Sequence, residues 1–201
     1  MSLNTPNRLT LLRIIMIPFF MVFLVYPVFS EYKCRIIAGI LFIAAAVTDF
    51  LDGYIARKRN LITNFGKFMD PLADKFLIFG ALLSICVSDF IFPEDWVFAP
   101  VTMRHIFFWA ALIVIFRELA VTSMRLVVVS GAGTVVAASK LGKIKTNTQI
   151  ICVSLIILEP ALFPFTYGYL SLVSIAVMVV FTVWSGVNYL VTYWKHLDTN
   201  K

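Results

Sequence analysis

The chain has 201 residues, of which 61% are apolar and only 14% charged, with a mean hydropathy of +0.93. Soluble domains average about 45–50% apolar and about 25% charged residues, so the composition excludes an ordinary soluble protein and predicts a single polytopic membrane domain over residues 1–201. The net charge of +6 does not point to nucleic acid, because the Lys and Arg residues sit in short segments beside apolar runs, where they set topology and meet anionic lipid head groups.

Six segments are long enough to cross a hydrocarbon core, which takes roughly 20 apolar residues. They are expected at about 9–29, 35–57, 67–88, 103–130, 147–166 and 169–193. The first is too long for a signal peptide and has no small-residue cleavage site, so it is expected to be retained. The fourth carries Arg117, Glu118 and Arg125, and its inner end should emerge from the membrane. The fifth is interrupted at its outer end by Glu159, Pro160 and Pro164. Cys34, Cys86 and Cys152 are far apart and lack CxxC spacing, so they are expected as small apolar residues. His105 and His196 lie near opposite membrane boundaries and are expected at the interface, as are Tyr193 and Trp194.

Loop charge sets the orientation. With the N-terminus inside, eleven basic residues fall on the inner side: Arg8, Arg13, Arg57, Lys58, Arg59, Lys67, Lys140, Lys143, Lys145, Lys195 and Lys201. The outer side holds only Lys33, Arg35 and Arg104, and it collects Glu31, Asp89, Glu94, Asp95 and Glu159. The positive-inside rule then predicts both termini in the cytosol.

Against this apolar background, Asp49, Asp52, Asp70 and Asp74 fall within 26 residues, in the pattern D-x2-D-G-x2-A-R-x8-G-x3-D-x3-D. Ionised carboxylates within membrane segments are costly and need compensating charge, and hard divalent cations prefer carboxylate oxygens. Asp49 and Asp52 are three apart near the inner end of the second helix; Asp70 and Asp74 are four apart near the inner start of the third. Each pair shares a helix face. The two helices are antiparallel neighbours, and at about 1.5 Å rise per residue both pairs come to a similar depth, roughly 5–12 Å below the cytosolic boundary. Two facing carboxylate pairs make a dinuclear metal cage opening into a cytosol-facing cavity, and two-metal sites suit in-line phosphoryl displacement. Gly53 and Ala56 allow close approach of a helix or ligand, Arg57 can pair with a pyrophosphate, and Pro71 is expected in the first turn of its helix.

With every fixed position filled by Asp49, Asp52, Gly53, Ala56, Arg57, Gly66, Asp70 and Asp74, the pattern resembles the signature of the CDP-alcohol phosphotransferases. These are integral membrane enzymes that move a phosphoalcohol group from a CDP-linked donor to an acceptor hydroxyl. The resemblance implies that Asp49, Asp52, Asp70 and Asp74 surround two divalent cations, Mg2+ or Mn2+. It implies that Asp74 also acts as the base, and that Gly53, Ala56, Arg57 and Gly66 line the CDP site. The start P-N-x2-T-x2-R, with Asn7, Thr10 and Arg13 at three-residue spacing, adds Asn7 and Thr10 as donor-binding candidates. A homodimer in the cell membrane is implied as well.

Two basic clusters bear on the acceptor. Arg117 lies too deep to be a simple anchor, and an isolated Arg there costs about 2.5–3.5 kcal/mol on insertion scales. Because adjacent residues do not face each other on a helix, Arg117 is expected to pair with something other than Glu118. With Arg125, Ser139, Lys140, Lys143 and Lys145 it is expected to form a cytosolic pocket for a phosphomonoester. The F-R-E at Phe116–Glu118 and the S-K-L-G-K-x-K-T run at Ser139–Thr146 are similar to family members that use CDP-diacylglycerol and sn-glycerol 3-phosphate. Inositol phosphate and phosphatidylglycerol are the rival acceptors. A cation transporter is the rival from another class, but it needs acidic residues across the whole membrane, and the outer halves of the helices carry almost none.

Overall fold

The computed structural model describes residues 5–58, 64–132 and 140–194, with their side chains apart from those of residues 5, 6, 50, 52–58, 64, 65, 67, 128–132, 140, 193 and 194. Six helices follow one another: α1 (Thr5–Val25), α2 (Glu31–Lys58), α3 (Asn64–Val87), α4 (Pro100–Ala132), α5 (Lys140–Leu162) and α6 (Tyr169–Trp194). A 3-10 turn at Pro164–Thr166 precedes α6, and no strand occurs among the described residues. Four of the helices are long and apolar enough to cross a membrane by length and composition: Asn7–Val25, Pro100–Val127, Leu141–Leu162 and Tyr169–Thr192. Helices α2 and α3 are as long, at 28 and 24 residues, and carry the aspartates. Large apolar side chains face outward along the bundle, among them Phe19 on α1, Trp109 and Phe116 on α4, and Val180 and Trp184 on α6. That inside-out surface is what a multi-pass membrane protein requires.

Helix α1 packs against α2 and α3, α2 against α5, and α6 against both α4 and α5. The core at the α1–α2 contact is an edge-to-face pair, Phe20 and Phe42, with centroids 5.7 Å apart. Leu24, Leu82, Ile85, Met103, Phe107, Ile156, Ile157 and Met178 fill the rest, all fully buried. Gly39 gives α5 close access to α2, because a Cβ there would overlap the Leu158 side chain.

The boundaries depart from the sequence expectation in three informative ways. Helix α5 begins at Lys140, seven residues earlier than expected, so the lysine run forms its first turns rather than a loop. A lone Gly142 is too weak a breaker to stop a helix whose later turns are packed against α6. Pro71 lies two turns inside α3, not in its first turn. The Lys67 carbonyl therefore loses its usual helical donor beside Asp70, a defect that membrane helices tolerate when neighbouring groups compensate. Helix α1 starts at Thr5, which places Asn7, Thr10 and Arg13 all within it.

The end of the bundle that holds the α3–α4 connection and the turn into α6 is more ordered than its sequence suggests. Arg35, expected among the few outer-side cations, is buried; it donates to the Ile91 carbonyl at 2.8 Å and to that of Phe90, whose ring lies 5.5 Å from its guanidinium. This pins the α3–α4 connection over the bundle, with Phe92 and Trp96 tucked in edge to face. The chain turns into α6 at Gly168, whose φ of +83° and contact with the Trp96 indole both demand glycine. Glu159, expected in an outer loop, is instead buried within α5, where it caps α6. Its carboxylate accepts from the Leu170 N–H at 3.2 Å, the Ser171 N–H at 2.7 Å, the Thr166 hydroxyl at 2.5 Å and the Ser171 hydroxyl. These amides are among those a helix start leaves without intrahelical partners. Glu159→Ala is therefore expected to cost at least about 1–3 kcal/mol, the usual penalty for stranding buried donors, read as a lowered thermal midpoint in detergent.

Candidate active site

The N-terminal half of α1, the C-terminal half of α2 and the N-terminal half of α3 meet at the aspartates. Arg13 on α1 is completely buried, and its Nη1 lies 2.7 Å from Asp49 Oδ1 on α2 and 2.8 Å from Asp74 Oδ1 on α3. One turn earlier on the same face, the Thr10 hydroxyl donates to Asp70 Oδ1 at 2.9 Å. Asn7, one turn before that, is also buried. The three-residue spacing of Asn7, Thr10 and Arg13 thus presents one face of α1 to both carboxylate helices. Asp49 and Asp74 do converge across α2 and α3, as their spacing implied. Their side chains remain 39% and 51% exposed, so the carboxylates are reachable from outside the bundle while Arg13 is not.

A buried guanidinium in an apolar bundle is stable only beside opposite charge. Here three carboxylates offer a set of hard oxygen donors around Arg13 and Thr10. That chemistry suits a divalent cation. Among the described residues, no three carboxylates are already gathered closely enough to hold one ion. The side chains of Asp52, Gly53, Ala56 and Arg57 lie outside the described residues; Gly66 is buried near the start of α3.

A second cluster forms where α4, α5 and α6 meet. Arg117 Nη1 lies 3.1 Å from Glu118 Oε1, and Lys145 Nζ pairs with the same oxygen. The expectation that Arg117 avoids Glu118 is thus incorrect. Adjacent Cβ atoms do diverge on a helix, but the long Arg stem carries its guanidinium back to the neighbour's carboxylate. All three side chains are at least 85% buried, with exposures of 10%, 15% and 7%. Arg117 Nε has no partner among the described residues. Arg125 donates to the Tyr189 hydroxyl at 3.1 Å, Lys143 is exposed, and Ser139 and the Lys140 side chain lie outside the described residues.

Sequence reasoning missed the central place of Arg13, the bridging role of Glu118, and Tyr189. Arg13 had a signal, since it completes the Asn7–Thr10 spacing on a face too polar to meet lipid. Tyr189 had none that separates it from an interfacial aromatic such as Tyr193.

Residues 3–184 match the CDP-alcohol phosphatidyltransferase family, and the chain belongs to that family. Among individual proteins it is similar to the CDP-diacylglycerol–glycerol-3-phosphate 3-phosphatidyltransferase of Bacillus subtilis (strain 168), at 42% identity over 98% of each chain. It is 34% identical to the Escherichia coli (strain K12) protein of the same name, over 94% of each chain. A probable phosphatidylglycerophosphate synthase of Mycobacterium tuberculosis (strain ATCC 25618 / H37Rv) is also 34% identical, over 92% of this chain and 79% of the relative.

Proposed function

We propose that this chain transfers the phosphatidyl group from CDP-diacylglycerol to sn-glycerol 3-phosphate, giving phosphatidylglycerophosphate and CMP. The observation that carries this reading is the presence of two clusters of opposite sign in one helical bundle: carboxylates organised by Arg13, and the Arg117–Glu118–Lys145 cluster, in which two cations share one carboxylate. The names of the similar proteins support the same acceptor.

Asp49, Asp52, Asp70 and Asp74 are the residues that would hold two divalent cations, Mg2+ or Mn2+, whose charge would stabilise the donor pyrophosphate and the departing CMP. Arg13 orients Asp49 and Asp74 through one nitrogen, and Thr10 orients Asp70. Asp74 accepts the proton of the acceptor hydroxyl. The hydroxyl oxygen bonds to the phosphorus that carries diacylglycerol, and the bond from that phosphorus to the CMP oxygen breaks. Gly53, Ala56, Arg57, Gly66, Asn7 and Thr10 form the donor side. An apolar groove of about 320 Å³ between α1 and α3, lined by Ile14, Ile17, Pro18, Met21, Met69, Leu72 and Phe76, suits a donor acyl chain. Arg117, Arg125, Ser139, Lys140, Lys143 and Lys145 form the acceptor side. The reading includes six spans, a cavity open to the cytosol, both termini cytosolic, a site in the cell membrane and a homodimer.

The acceptor side is tested by Arg117→Ala. Loss of a charge-assisted contact worth about 1.5–3 kcal/mol is expected to lower kcat/KM for glycerol 3-phosphate by about 10- to 150-fold. The KM for CDP-diacylglycerol should change far less, and Arg117→Lys should rescue only in part, because it keeps charge but not the fork. Unchanged acceptor kinetics would remove Arg117 from the pocket. Equal weakening of both substrates, with loss of folded protein, would make it a structural partner of Glu118.

A further inference from the structure

Helix α6 contributes no charged residue to either cluster, yet two of its residues control where the α4 arginines point. Gly186 and Tyr189 are three apart and share a face. A Cβ at Gly186 would sit 3.1 Å from Arg117 Cγ, so the arginine stem crosses α6 where the backbone is bare. Tyr189 is buried, and its ring centroid lies 5.7 Å from the Arg117 guanidinium carbon and 5.9 Å from that of Arg125. Its hydroxyl also accepts from Arg125 Nη2 at 3.1 Å. The two arginines are eight residues apart on α4, about 12 Å along the axis, a gap that long flexible side chains do not bridge in one fixed arrangement by themselves.

We propose that Tyr189, with Gly186 beside it, is a positioning residue that turns Arg117 and Arg125 into one two-guanidinium clamp selective for a phosphomonoester on a small alcohol. The proposal rests on the acceptor side described above and adds how selectivity arises there. The ring face attracts a guanidinium without using its N–H groups. Beyond the Arg125 Nη2 taken by the Tyr189 hydroxyl and the Arg117 Nη1 taken by Glu118, the remaining donors can meet phosphate oxygens, and Arg117 Nε has no partner among the described residues. Glu118 takes Nη1 of the same guanidinium and so fixes its rotation. Two forks held at a set separation suit a phosphomonoester, which carries up to two negative charges and exposes three terminal oxygens. A phosphodiester offers one charge and two such oxygens, and an uncharged polyol offers neither.

The test uses the full chain in nanodiscs with CDP-diacylglycerol and Mg2+, comparing Tyr189→Leu, Tyr189→Phe, Gly186→Ala and Arg117→Ala. Tyr189→Leu is expected to raise the KM for glycerol 3-phosphate by about 3- to 30-fold, the range of a cation–π contact. Saturating kcat, the KM for CDP-diacylglycerol and the thermal midpoint should hold. Inorganic phosphate, used as a competitor, should weaken in parallel with the acceptor. Tyr189→Phe, which keeps the ring, should restore most of the affinity, and Gly186→Ala should shift acceptor KM in the same direction as Tyr189→Leu with a smaller effect. If Arg117→Ala raises acceptor KM while Tyr189→Leu does not, the positioning role is wrong and the pocket stands. If neither variant changes acceptor kinetics, the pocket falls and the clamp with it. If Tyr189→Leu unfolds the protein, Tyr189→Phe and Gly186→Ala decide, and acceptor and phosphate affinities that stay at the parent values in both overturn the proposal.

Discussion

Chelating divalent cations is expected to abolish turnover, and Asp49→Asn, Asp52→Asn and Asp70→Asn are each expected to lower it by on the order of 100-fold or more, the scale seen when one group stabilising transition-state charge is removed. Asparagine preserves size, so the side chain still fits. Its neutral amide is a poorer ligand for a hard cation than a carboxylate. Thr10 still has an oxygen to donate to in Asp70→Asn, and Arg13 retains Asp74 in Asp49→Asn, which is why these variants should stay folded. Circular dichroism and the thermal midpoint check that, and added Mg2+ or Mn2+ should restore the chelated parent enzyme. Full activity in EDTA would contradict the metal role outright.

Arg13→Ala is the second large effect. It removes a nitrogen that bridges Asp49 and Asp74, and so a positive charge between two carboxylates. Deleting one partner of a fully buried ion pair typically costs about 3–5 kcal/mol. The cost here is expected below that range because Asp49 and Asp74 are 39% and 51% exposed, while α2 and α3 each lose their ion pair to α1. A lower thermal midpoint and loss of turnover are expected together. Saturating Mg2+ should recover part of the midpoint, since a ligand that binds only the folded state stabilises it. Arg13→Lys should be intermediate, keeping charge without the guanidinium fork. A variant with parental stability and activity would show that α1 is a bystander.

The convergence of Asp49 and Asp74 is legible in residue spacing. The pattern from Asp49 to Asp74 placed carboxylates on two antiparallel helices, and Asp49 and Asp74 do meet there. The limits were those of local reasoning. Arg13 finds its partners 36 and 61 residues away, and only the assembled α1–α2–α3 contact shows that it joins them. The Arg117–Glu118 pair was misjudged because helix geometry governs Cβ direction, whereas a long guanidinium stem reaches past it. Helix α5 starts earlier than its apolar run because lysine is a good helix former, so a charged segment need not be a loop. Pro71 does not mark a helix start, because in a membrane helix neighbouring groups can compensate for the lost hydrogen bond. Glu159 looked like an outer-loop charge because its partners are amides that exist as free donors only once α6 has formed.

The most direct measurement is the mass of the lipid made by the purified full-length protein from CDP-diacylglycerol and Mg2+ with a panel of acceptors: glycerol 3-phosphate, inositol phosphate, phosphatidylglycerol, serine and glycerol. Phosphatidylglycerophosphate with stoichiometric CMP, formed from glycerol 3-phosphate and lost on chelation, is the predicted result. A different phosphatidyl product formed preferentially from another acceptor, or no transfer to any of them by folded protein, would contradict it.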